Sequence, residues 1–335
     1  MPSLGLIGDI GGTHCRFAVT TLGQTELGAP AKYPCRDFPD ILHAIDAYLD
    51  REPPKKTIEW AMIAVAGPVV NDEVSLTNLA WHISGPEIAA KFGLREARLI
   101  NDFTGIARAT PLLEGAHLVQ VGGQPESARN ARVSAVVGAG TGLGVGGLIK
   151  AGAAPFPLTT EGGHTAFAPV TDLDFELSRV LRTRFERVSN ERLLSGEGLH
   201  NIYWALSVIE GAEPEALTPK DISQRAIDKS DPRCVRAVQV FCHILGAFSG
   251  DVALTLGGLG GVFVSGGVIH GVMQAFDRAG FREGFESKGR FRSYMERIPA
   301  WLVTHPYATL LGCAALAGDV IAPVRSAGAG ASAKI

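Results

Sequence analysis

The sequence predicts an α/β protein built from two domains, and this prediction rests on three observations. The chain has 335 residues, which is enough for two domains that each bury a full core. Continuous apolar runs that are typical of buried strands alternate with amphipathic helical patterns. Each half also contains a buried strand followed by a glycine-rich turn and a second strand, which suggests two related domains.

The N-terminal half supplies the first set of alternating elements. Ser84 and Glu87 have the spacing of a capping box at the start of a helix, and Gly93 ends that helix. A short strand then leads directly into Asn101 and Asp102. The other elements predicted in this half are a hairpin, a helix and a continuous apolar strand, at residues 4–8 with 16–21, 39–50 and 60–66.

A second set of elements begins near residue 113. It comprises predicted strands and helices at 133–137, around 172–187, around 232–248 and at 261–265.

The C-terminal part of the chain completes the predicted domain organisation. Residues 308–324 are predicted to form a helix that folds back on the N-terminal domain. The tail 326–335 is small and polar, so we expect it to be disordered. The predicted domains are a small one, 1–112 with about 305–325, and a large one, 113–304.

Composition and charge exclude several classes of function. The chain has 31 basic and 34 acidic residues and a formal net charge of −3, which gives no electrostatic case for nucleic acid or an anionic membrane surface. No apolar stretch approaches the roughly 20 residues of a membrane span without interruption, and the N-terminus lacks a signal-peptide pattern. Five dispersed cysteines without a CxxC pair indicate buried thiols in a reducing compartment. We therefore expect a cytoplasmic protein without nucleic-acid or membrane partners.

The two glycine-rich turns indicate a binding site for an anion. They are Gly8-Asp9-Ile10-Gly11-Gly12-Thr13 and Gly138-Ala139-Gly140-Thr141-Gly142-Leu143-Gly144. Bare backbone N–H groups in such a turn can surround an anion, and the Thr hydroxyl adds another donor. Two turns of this kind predict two walls of one cleft that closes on a polyphosphate, which points to phosphoryl transfer.

Other nucleotide-binding signatures fit less well. Residues 142–147 formally match G-x-G-x-x-G, but a Rossmann fingerprint must open a helix, whereas the β-branched and glycine residues here favour a hairpin. No GxxxxGK[ST] segment occurs, which excludes a P-loop mechanism. A hairpin turn without a ligand remains the alternative for the second turn.

Two aspartates are candidates for the chemistry, and each has a structural alternative. Asp9 could hold Mg²⁺ through water beside the phosphates, or it could bond its own backbone in the turn. Asp102 follows a buried strand, where ligands of open α/β sheets bind, and could act as the base for a hydroxyl nucleophile. Asp102 could instead cap the following helix, whose first turn would be 104–106.

A polar cluster in the second half suits the recognition of sugar hydroxyls. Glu161, His164 and Glu191 stand in otherwise apolar surroundings, and such side chains can pair with several hydroxyls. No Cys or second His lies at metal-ligand spacing from His164, although a purely structural role for this residue stays open. Asn78 and Trp81 could line a cleft or simply lie in a loop.

A third glycine segment, Ser265-Gly266-Gly267, follows the strand at 261–265. Its glycines permit the close approach of a flat ring or an adenosine. An ordinary strand–helix turn is the alternative.

Taken in order, these segments resemble the bacterial ATP-dependent glucokinases of the proteobacterial type, within the hexokinase/actin-like superfamily. Each segment is weak evidence alone, whereas the ordered set is specific and extends from residue 4 to about 317. The matching segments are Gly8–Thr13, Ala66–Val69, Leu76–Trp81, Ile100–Phe103, Gly138–Gly144, Glu161–His164, Glu191–Gly196 and Ser265–Gly267.

The resemblance implies two ribonuclease-H-like domains of the actin/hexokinase type, with glucose and ATP in an interdomain cleft, and a homodimer. It implies that Asp102 is the general base for the 6-hydroxyl of the sugar and that Asp9 organises Mg²⁺ through water. The sugar-binding residues that it implies are Asn78, Asn101, Asp102, Glu161, His164 and Glu191. The ATP-binding residues that it implies are Gly8, Asp9, Gly11, Gly12, Thr13, Gly140, Thr141 and Gly142, with Gly266 and Gly267 bordering the adenosine.

The chain departs from the family pattern at one position and lacks the marks of a related group. His14 stands where the family usually has Asn, so a contact made by that Asn is not carried over. The zinc-binding cysteine cluster of a related group of sugar kinases and repressors is absent from the sequence, and so is an added helix-turn-helix region. Arg16, by contrast, fits the family pattern.

Three rival functions stay open at this point. The first is a kinase of the same fold that acts on another hexose or an amino sugar. The second is a sugar sensor without turnover, although the presence of both phosphate turns and a candidate base counts against it. The third is a dinucleotide-dependent oxidoreductase, which rests on the formal G-x-G-x-x-G match alone.

Overall fold

The computed structural model describes residues 3–51, 57–76, 79–151 and 154–321. Asn78, a predicted sugar ligand, lies outside the described residues, as does the tail 326–335 that was predicted to be disordered. The strands are β1 (Leu4–Ile10), β2 (His14–Thr21), β3 (Gly28–Pro34), β4 (Trp60–Val65), β5 (Glu73–Ser75), β6 (His82–Ser84), β7 (Glu96–Asn101), β8 (Leu118–Gly122), β9 (Val133–Ala139), β10 (Leu143–Ile149), β11 (Phe156–Thr160), β12 (Val262–Ser265) and β13 (Ala300–Val303).

Helices separate most of these strands, in the alternation that the sequence predicts. The α-helices are α1 (Ile41–Arg51), α2 (Gly85–Phe92), α3 (Asp102–Ala109), α4 (Asp172–Leu181), α5 (Gly196–Ile209), α6 (Pro219–Ile227), α7 (Pro232–Leu256), α8 (Gly267–Val272), α9 (Arg278–Glu286), α10 (Arg292–Met295) and α11 (Ala308–Val320). The described chain divides into two compact units. The first contains residues up to Ala109 together with those from Tyr307 onward, and the second is Thr110–Pro306.

The first unit contains a five-stranded sheet in the order β3-β2-β1-β4-β7. β1 and β2 form the predicted antiparallel hairpin, whereas β1, β4 and β7 run parallel. The register places Ile10 beside Val65 and Val65 beside Asn101, so the carboxyl ends of the three parallel strands coincide. Residues that follow these strands therefore lie along one edge of the sheet.

Apolar layers cover both faces of this sheet. Because side chains alternate along a strand, Leu6 packs on one face with Tyr48 of α1, and Ile7 packs on the other face with Leu310 of α11. β4 is buried along its whole length, which explains its continuous apolar sequence.

Helices α3 and α11 pack closely because glycine faces glycine. A Cβ atom added at Gly312 of α11 would overlap the carbonyl oxygen of Gly105 in α3. Near the other end of the contact, Arg108 Nε lies 2.7 Å from Asp319 Oδ2. This contact holds α3, and with it the position of Asp102, against the rest of the unit.

The second unit contains a six-stranded sheet in the order β11-β10-β9-β12-β13-β8. β9 and β10 form the second predicted hairpin, and β12 lies parallel to both β9 and β13. The core lies between this sheet and the helices α4 to α9, with Tyr203, Phe241 and Phe281 among its largest buried side chains.

Within the described ranges, α7 is the one helix that is long and apolar enough to span a membrane. Its most apolar window has a mean hydropathy of 1.5, and 72% of that window is buried inside the protein. A core helix with neighbours on several sides has the same length and composition, so this feature is weak evidence for a membrane span.

Several helix boundaries differ from the sequence prediction: α1 spans Ile41–Arg51 instead of 39–50, and α11 ends at Val320 instead of 324 because Ile321 is extended. The largest differences are at the ends of α4 and α7. α4 ends at Leu181 instead of near 187, because the residues after Leu181 form turns. The Thr183 N–H, for example, donates to Val180 O. α7 continues to Leu256 instead of 248, and it ends at Gly257, which adopts a left-handed φ of 66°. At the start of α2, the Ser84 hydroxyl accepts the Glu87 N–H, which is one of the two bonds of the predicted capping box, and Gly93 ends the helix as predicted.

We expect Gly312→Ala to destabilise the first unit by about 1–3 kcal/mol, because the added methyl group forces α11 away from α3. Urea denaturation, followed by hydrogen exchange of peptides from α3 and α11, measures this effect. Val320→Ala on the exposed face of α11 is the matched control and should change the free energy of unfolding by less than about 0.5 kcal/mol. Equal stability of the two variants would contradict the proposed importance of this contact.

Candidate active site

The first glycine-rich turn joins β1 to β2, and Cys35 hydrogen-bonds two of its carbonyl groups. The Cys35 N–H donates to Thr13 O at 2.9 Å, and the Cys35 thiol donates to Gly11 O at 3.5 Å. The Gly11 N–H closes the turn by donating to His14 O at 3.0 Å. Among the described residues, none accepts a hydrogen bond from the N–H of Gly12 or Thr13. Two neighbouring backbone donors therefore remain for an anion.

Asp9 lies on β1 directly opposite Arg16 on β2, next to this turn. Arg16 Nη1 lies 3.0 Å from Asp9 Oδ2, and the side chains are 27% and 15% exposed, respectively. Burial raises the pKa of the Asp9 carboxyl, and the Arg16 guanidinium opposes this shift by charge and by its hydrogen bond. Arg16 therefore stabilises the ionised form of a largely buried carboxyl near the tip of the hairpin, against the effect of burial.

His14, the departure from the family pattern, follows the same turn. Burial lowers the pKa of its imidazole, and the cationic side chains of Lys32, Arg16 and Arg36 lower it further. The ring is consequently neutral at pH 7 and offers one donor and one acceptor, as an Asn amide does.

Asn101 and Asp102 lie where β7 passes into α3, at the carboxyl edge of the parallel strands. Asn101 Nδ2 donates to Gly67 O at 3.2 Å, which ties this junction to the turn after β4. The Phe103 N–H lies 2.9 Å from both Asn101 Oδ1 and Asp102 Oδ1, so both side chains cap the helix. Capping therefore describes part of the role of Asp102.

The second glycine-rich turn joins β9 to β10 and repeats the arrangement of the first. Gly140 closes the turn by donating to Gly142 O at 2.8 Å, while Gly140 O accepts the Gly196 N–H at 2.8 Å. In the part of the chain that the structure describes, the N–H groups of Thr141 and Gly142 donate to no acceptor. The second unit therefore also presents two adjacent backbone donors.

Glu161, His164 and Glu191 come together beside this second turn, although 27 residues separate His164 from Glu191 in the sequence. His164 Nδ1 lies 3.8 Å from Glu191 Oε1, and His164 Nε2 lies 4.0 Å from Glu161 Oε2. At these separations, one hydroxyl oxygen that lies to the side of either pair can hydrogen-bond both flanking groups at about 2.8 Å. The His164 and Glu161 side chains are more than half exposed, so the cluster is accessible to a polyhydroxylated ligand.

Gly266 brings the third glycine segment to the second turn. It has a φ of 114°, and an added Cβ atom would overlap the backbone of Ala139, the last residue of β9. Gly267, by contrast, faces open space. The structure therefore places an uncovered glycine close to the Gly140–Gly142 turn.

Other predicted residues have different surroundings. Gly8 lies inside β1, where an added Cβ atom would meet Ile63 and Phe17, so packing requires its small size. Trp81 lies directly before β6, outside the strands and helices, and its side chain is buried in the core of the first unit.

Sequence reasoning missed three groups that shape these sites. Arg16 was noted only as fitting a pattern, although its position across the hairpin from Asp9 could have identified it as a partner. The Cys35 contacts and the bond from the Leu143 N–H to Glu191 Oε2 at 2.9 Å join distant segments, so no local signal announces them.

Comparison with known proteins gives the same assignment as the motifs. The family model for glucokinases matches residues 6–320. The glucokinase of Stenotrophomonas maltophilia is 44% identical over 323 residues, covering 94% of this chain and 95% of that protein. The glucokinase of Pectobacterium atrosepticum is 42% identical over 317 residues, covering 94% and 97%.

The chain belongs to the glucokinase family.

A crystal structure of a glucokinase from an Antarctic psychrotroph superimposes with a TM-score of 0.83 at 34% identity, covering 95% of this chain and all of the other. This glucokinase-family chain therefore has the predicted actin/hexokinase-like α/β fold.

In this glucokinase-family protein, we expect Arg16→Met to destabilise the fold by about 3 kcal/mol at pH 8, because it leaves the Asp9 carboxylate buried without a partner. The destabilisation should shrink as the pH falls. Without Arg16 the pKa of Asp9 is raised further, so the folded variant binds a proton at a pH at which the unfolded chain does not. Urea denaturation between pH 4.5 and 8 measures this dependence. The double variant Asp9→Asn/Arg16→Met should not show this pH dependence. A destabilisation by Arg16→Met that is equal at all pH values would contradict the pairing of Arg16 with Asp9.

Proposed function

We infer that this protein is an ATP-dependent glucokinase, which transfers the terminal phosphoryl group of ATP to the 6-hydroxyl of D-glucose. The observation behind this inference is 42–44% identity to curated glucokinases along 94% of the chain. The geometry of the separate units supports it. Turns with paired backbone donors suit a polyphosphate, and a histidine between two carboxylates suits a sugar.

The glycine turns are the proposed phosphate contacts. Gly12 and Thr13 in the first unit, and Thr141 and Gly142 in the second, each offer backbone N–H groups that the described protein does not use. Phosphoryl transfer needs positioning and charge stabilisation more than covalent chemistry, and preorganised amides supply both. Gly266 and Gly267 are the proposed border of the adenosine.

Asp102 is the proposed general base. Its carboxylate accepts the proton of the 6-hydroxyl while that oxygen attacks the γ-phosphorus and ADP leaves. Asn101 supports this role, because its bonds to Gly67 O and the Phe103 N–H hold the start of α3 in place.

Several polar side chains are the proposed sugar contacts. Glu161, His164 and Glu191 provide acceptors and donors at spacings that fit bridging hydroxyls. Asn101 and Asp102, together with Asn78 outside the described residues, complete the proposed set.

Asp9 is the residue proposed to organise Mg²⁺. The described residues contain no group of three His, Cys, Asp or Glu side chains that could bind a metal ion directly. A single carboxylate suits an ion that is held mainly by water and phosphate oxygens, with Asp9 in its outer shell. When bound, Mg²⁺ neutralises developing charge on the phosphates.

We further propose that the protein acts in the cytoplasm as a homodimer. Five dispersed cysteines without a CxxC pair support the reducing compartment, and the resemblance to proteobacterial glucokinases supports the homodimer. A kinase for another hexose or an amino sugar, and a non-catalytic sugar sensor, are the alternatives that the substrate test below distinguishes.

A coupled ADP assay with glucose, fructose, mannose and N-acetylglucosamine tests the substrate. We expect kcat/KM to be highest for glucose, because the spacing of donors and acceptors around His164 selects hydroxyl orientation. Turnover of another sugar without glucose activity would support the alternative kinase. Glucose binding without ADP release would support the sensor.

We expect Asp102→Asn to lower kcat by about 10²–10⁴-fold, because the amide cannot accept the hydroxyl proton but keeps an oxygen for the Phe103 N–H. Steady-state assays at saturating glucose and ATP measure the effect, with circular dichroism to verify folding. Asp50→Asn, at an exposed position on α1, is the control and should retain wild-type kcat. Near-normal turnover of a folded Asp102→Asn protein would exclude the assigned base.

A further inference from the structure

Glu191 uses its two carboxylate oxygens for two different sites of the second unit. Oε2 accepts the Leu143 N–H at 2.9 Å, and Leu143 is the residue directly after the Gly140–Gly142 turn. Oε1 faces His164 Nδ1 at 3.8 Å, across the gap assigned to a sugar hydroxyl. One side chain of 30% exposure therefore joins the phosphate turn to the sugar cluster. We call this contact the Glu191 bridge.

Leu143 is held from a second direction by the segment that carries His164. An added Cβ atom at Gly163 would overlap the Leu143 carbonyl oxygen, so the short 3-10 helix Gly162–His164 lies directly on Leu143. Glu191 bonds the N–H of Leu143 and Gly163 covers its carbonyl group. A movement of the sugar cluster thus displaces the first residue of β10.

The segment after Glu191 adds another link to the same turn. The Ser195 hydroxyl donates to Glu191 O at 2.9 Å, and the Gly196 N–H donates to Gly140 O at 2.8 Å. The residues 191–196 therefore contact the turn at both of its ends. Because Ser195 also caps α5, this segment is anchored to a helix of the core.

We propose that Glu191 is a positioning residue that couples sugar binding to the shape of the second phosphate turn. A sugar hydroxyl that bonds Oε1 fixes the carboxylate, and Oε2 then fixes the Leu143 N–H and the orientation of the Thr141 and Gly142 N–H groups. The sugar thereby strengthens nucleotide binding, and the nucleotide strengthens sugar binding by the same factor. This proposal rests on the proposed function, since it takes the cluster as a sugar site and the turn as a phosphate site.

Gly142 permits the bridge and also provides the means to break it. A Cβ atom added at Gly142 would lie 2.5 Å from Glu191 Oε2, which is the mobile end of a flexible side chain. Gly142→Ala therefore moves the carboxylate away from the Leu143 N–H without removing it from the protein. Gly196→Ala is the matched control, because its added Cβ atom makes only ordinary contacts at 3.6 Å and beyond.

The measurement is the affinity for a non-hydrolysable ATP analogue by calorimetry, with and without saturating glucose. The ratio of the two dissociation constants is the coupling factor. We expect a factor of at least about fivefold in the wild type and in Gly196→Ala, and less than about twofold in Gly142→Ala. The glucose affinity of Gly142→Ala also falls, because the displaced Glu191 carboxylate is one of the proposed sugar contacts, so glucose is kept saturating for each variant.

A second variant separates the bridge from the charge of Glu191. Glu191→Gln keeps an oxygen that can accept the Leu143 N–H, so we expect it to retain a coupling factor above about threefold while its glucose affinity falls. Loss of coupling in Glu191→Gln together with full coupling in Gly142→Ala would overturn the proposal.

The remaining outcomes distinguish this proposal from the proposed function. Absence of coupling in the wild type, or wild-type coupling in Gly142→Ala, overturns the role of the Glu191 bridge while leaving glucose phosphorylation intact. Failure of the wild-type protein to bind or phosphorylate glucose overturns the proposed function itself, and the bridge with it.

Discussion

Each unit of this protein turns a β-hairpin so tightly that two adjacent backbone N–H groups at its tip have no acceptor among the described residues. The turns are Gly11-Gly12-Thr13 and Gly140-Thr141-Gly142. A buried donor without an acceptor costs free energy, so such a tip is stable only where solvent or an anion reaches it. The remaining polar groups of each turn must then be satisfied by the protein, and this requirement organises both sites.

The two units meet this requirement with different side chains. In the first, Cys35, which follows β3, bonds the carbonyl groups of Gly11 and Thr13. In the second, the Gly196 N–H donates to Gly140 O, and Glu191 Oε2 accepts the N–H of Leu143, the residue after the turn. The second solution uses a charged side chain that also faces His164. Glu191 thus connects the second turn to His164, whereas the thiol and the backbone N–H of Cys35 hold the first turn.

Local patterns predicted most of the fold because local chemistry determines it. The β1–β2 and β9–β10 hairpins follow from apolar runs around glycines, and the α2 cap follows from Ser84 and Gly93. The helix predicted at 172–187 was too long, because apolar periodicity continues through the turns after Leu181. The predicted end of α7 was too early, because Gly250 lies inside the helix and Gly257 ends it.

The sequence by itself determined the family, the two glycine turns and the residue types of the candidate site, because motifs are local and glycine is required wherever backbone must turn or approach closely. Only the tertiary structure decided that Cys35 bonds Gly11, that Asn101 ties Gly67 to the start of α3, and that Glu191 reaches Leu143. These contacts join residues that are 24, 34 and 48 positions apart. Strand register and the packing of short helices set such distances, and neither leaves a periodic signal in the sequence.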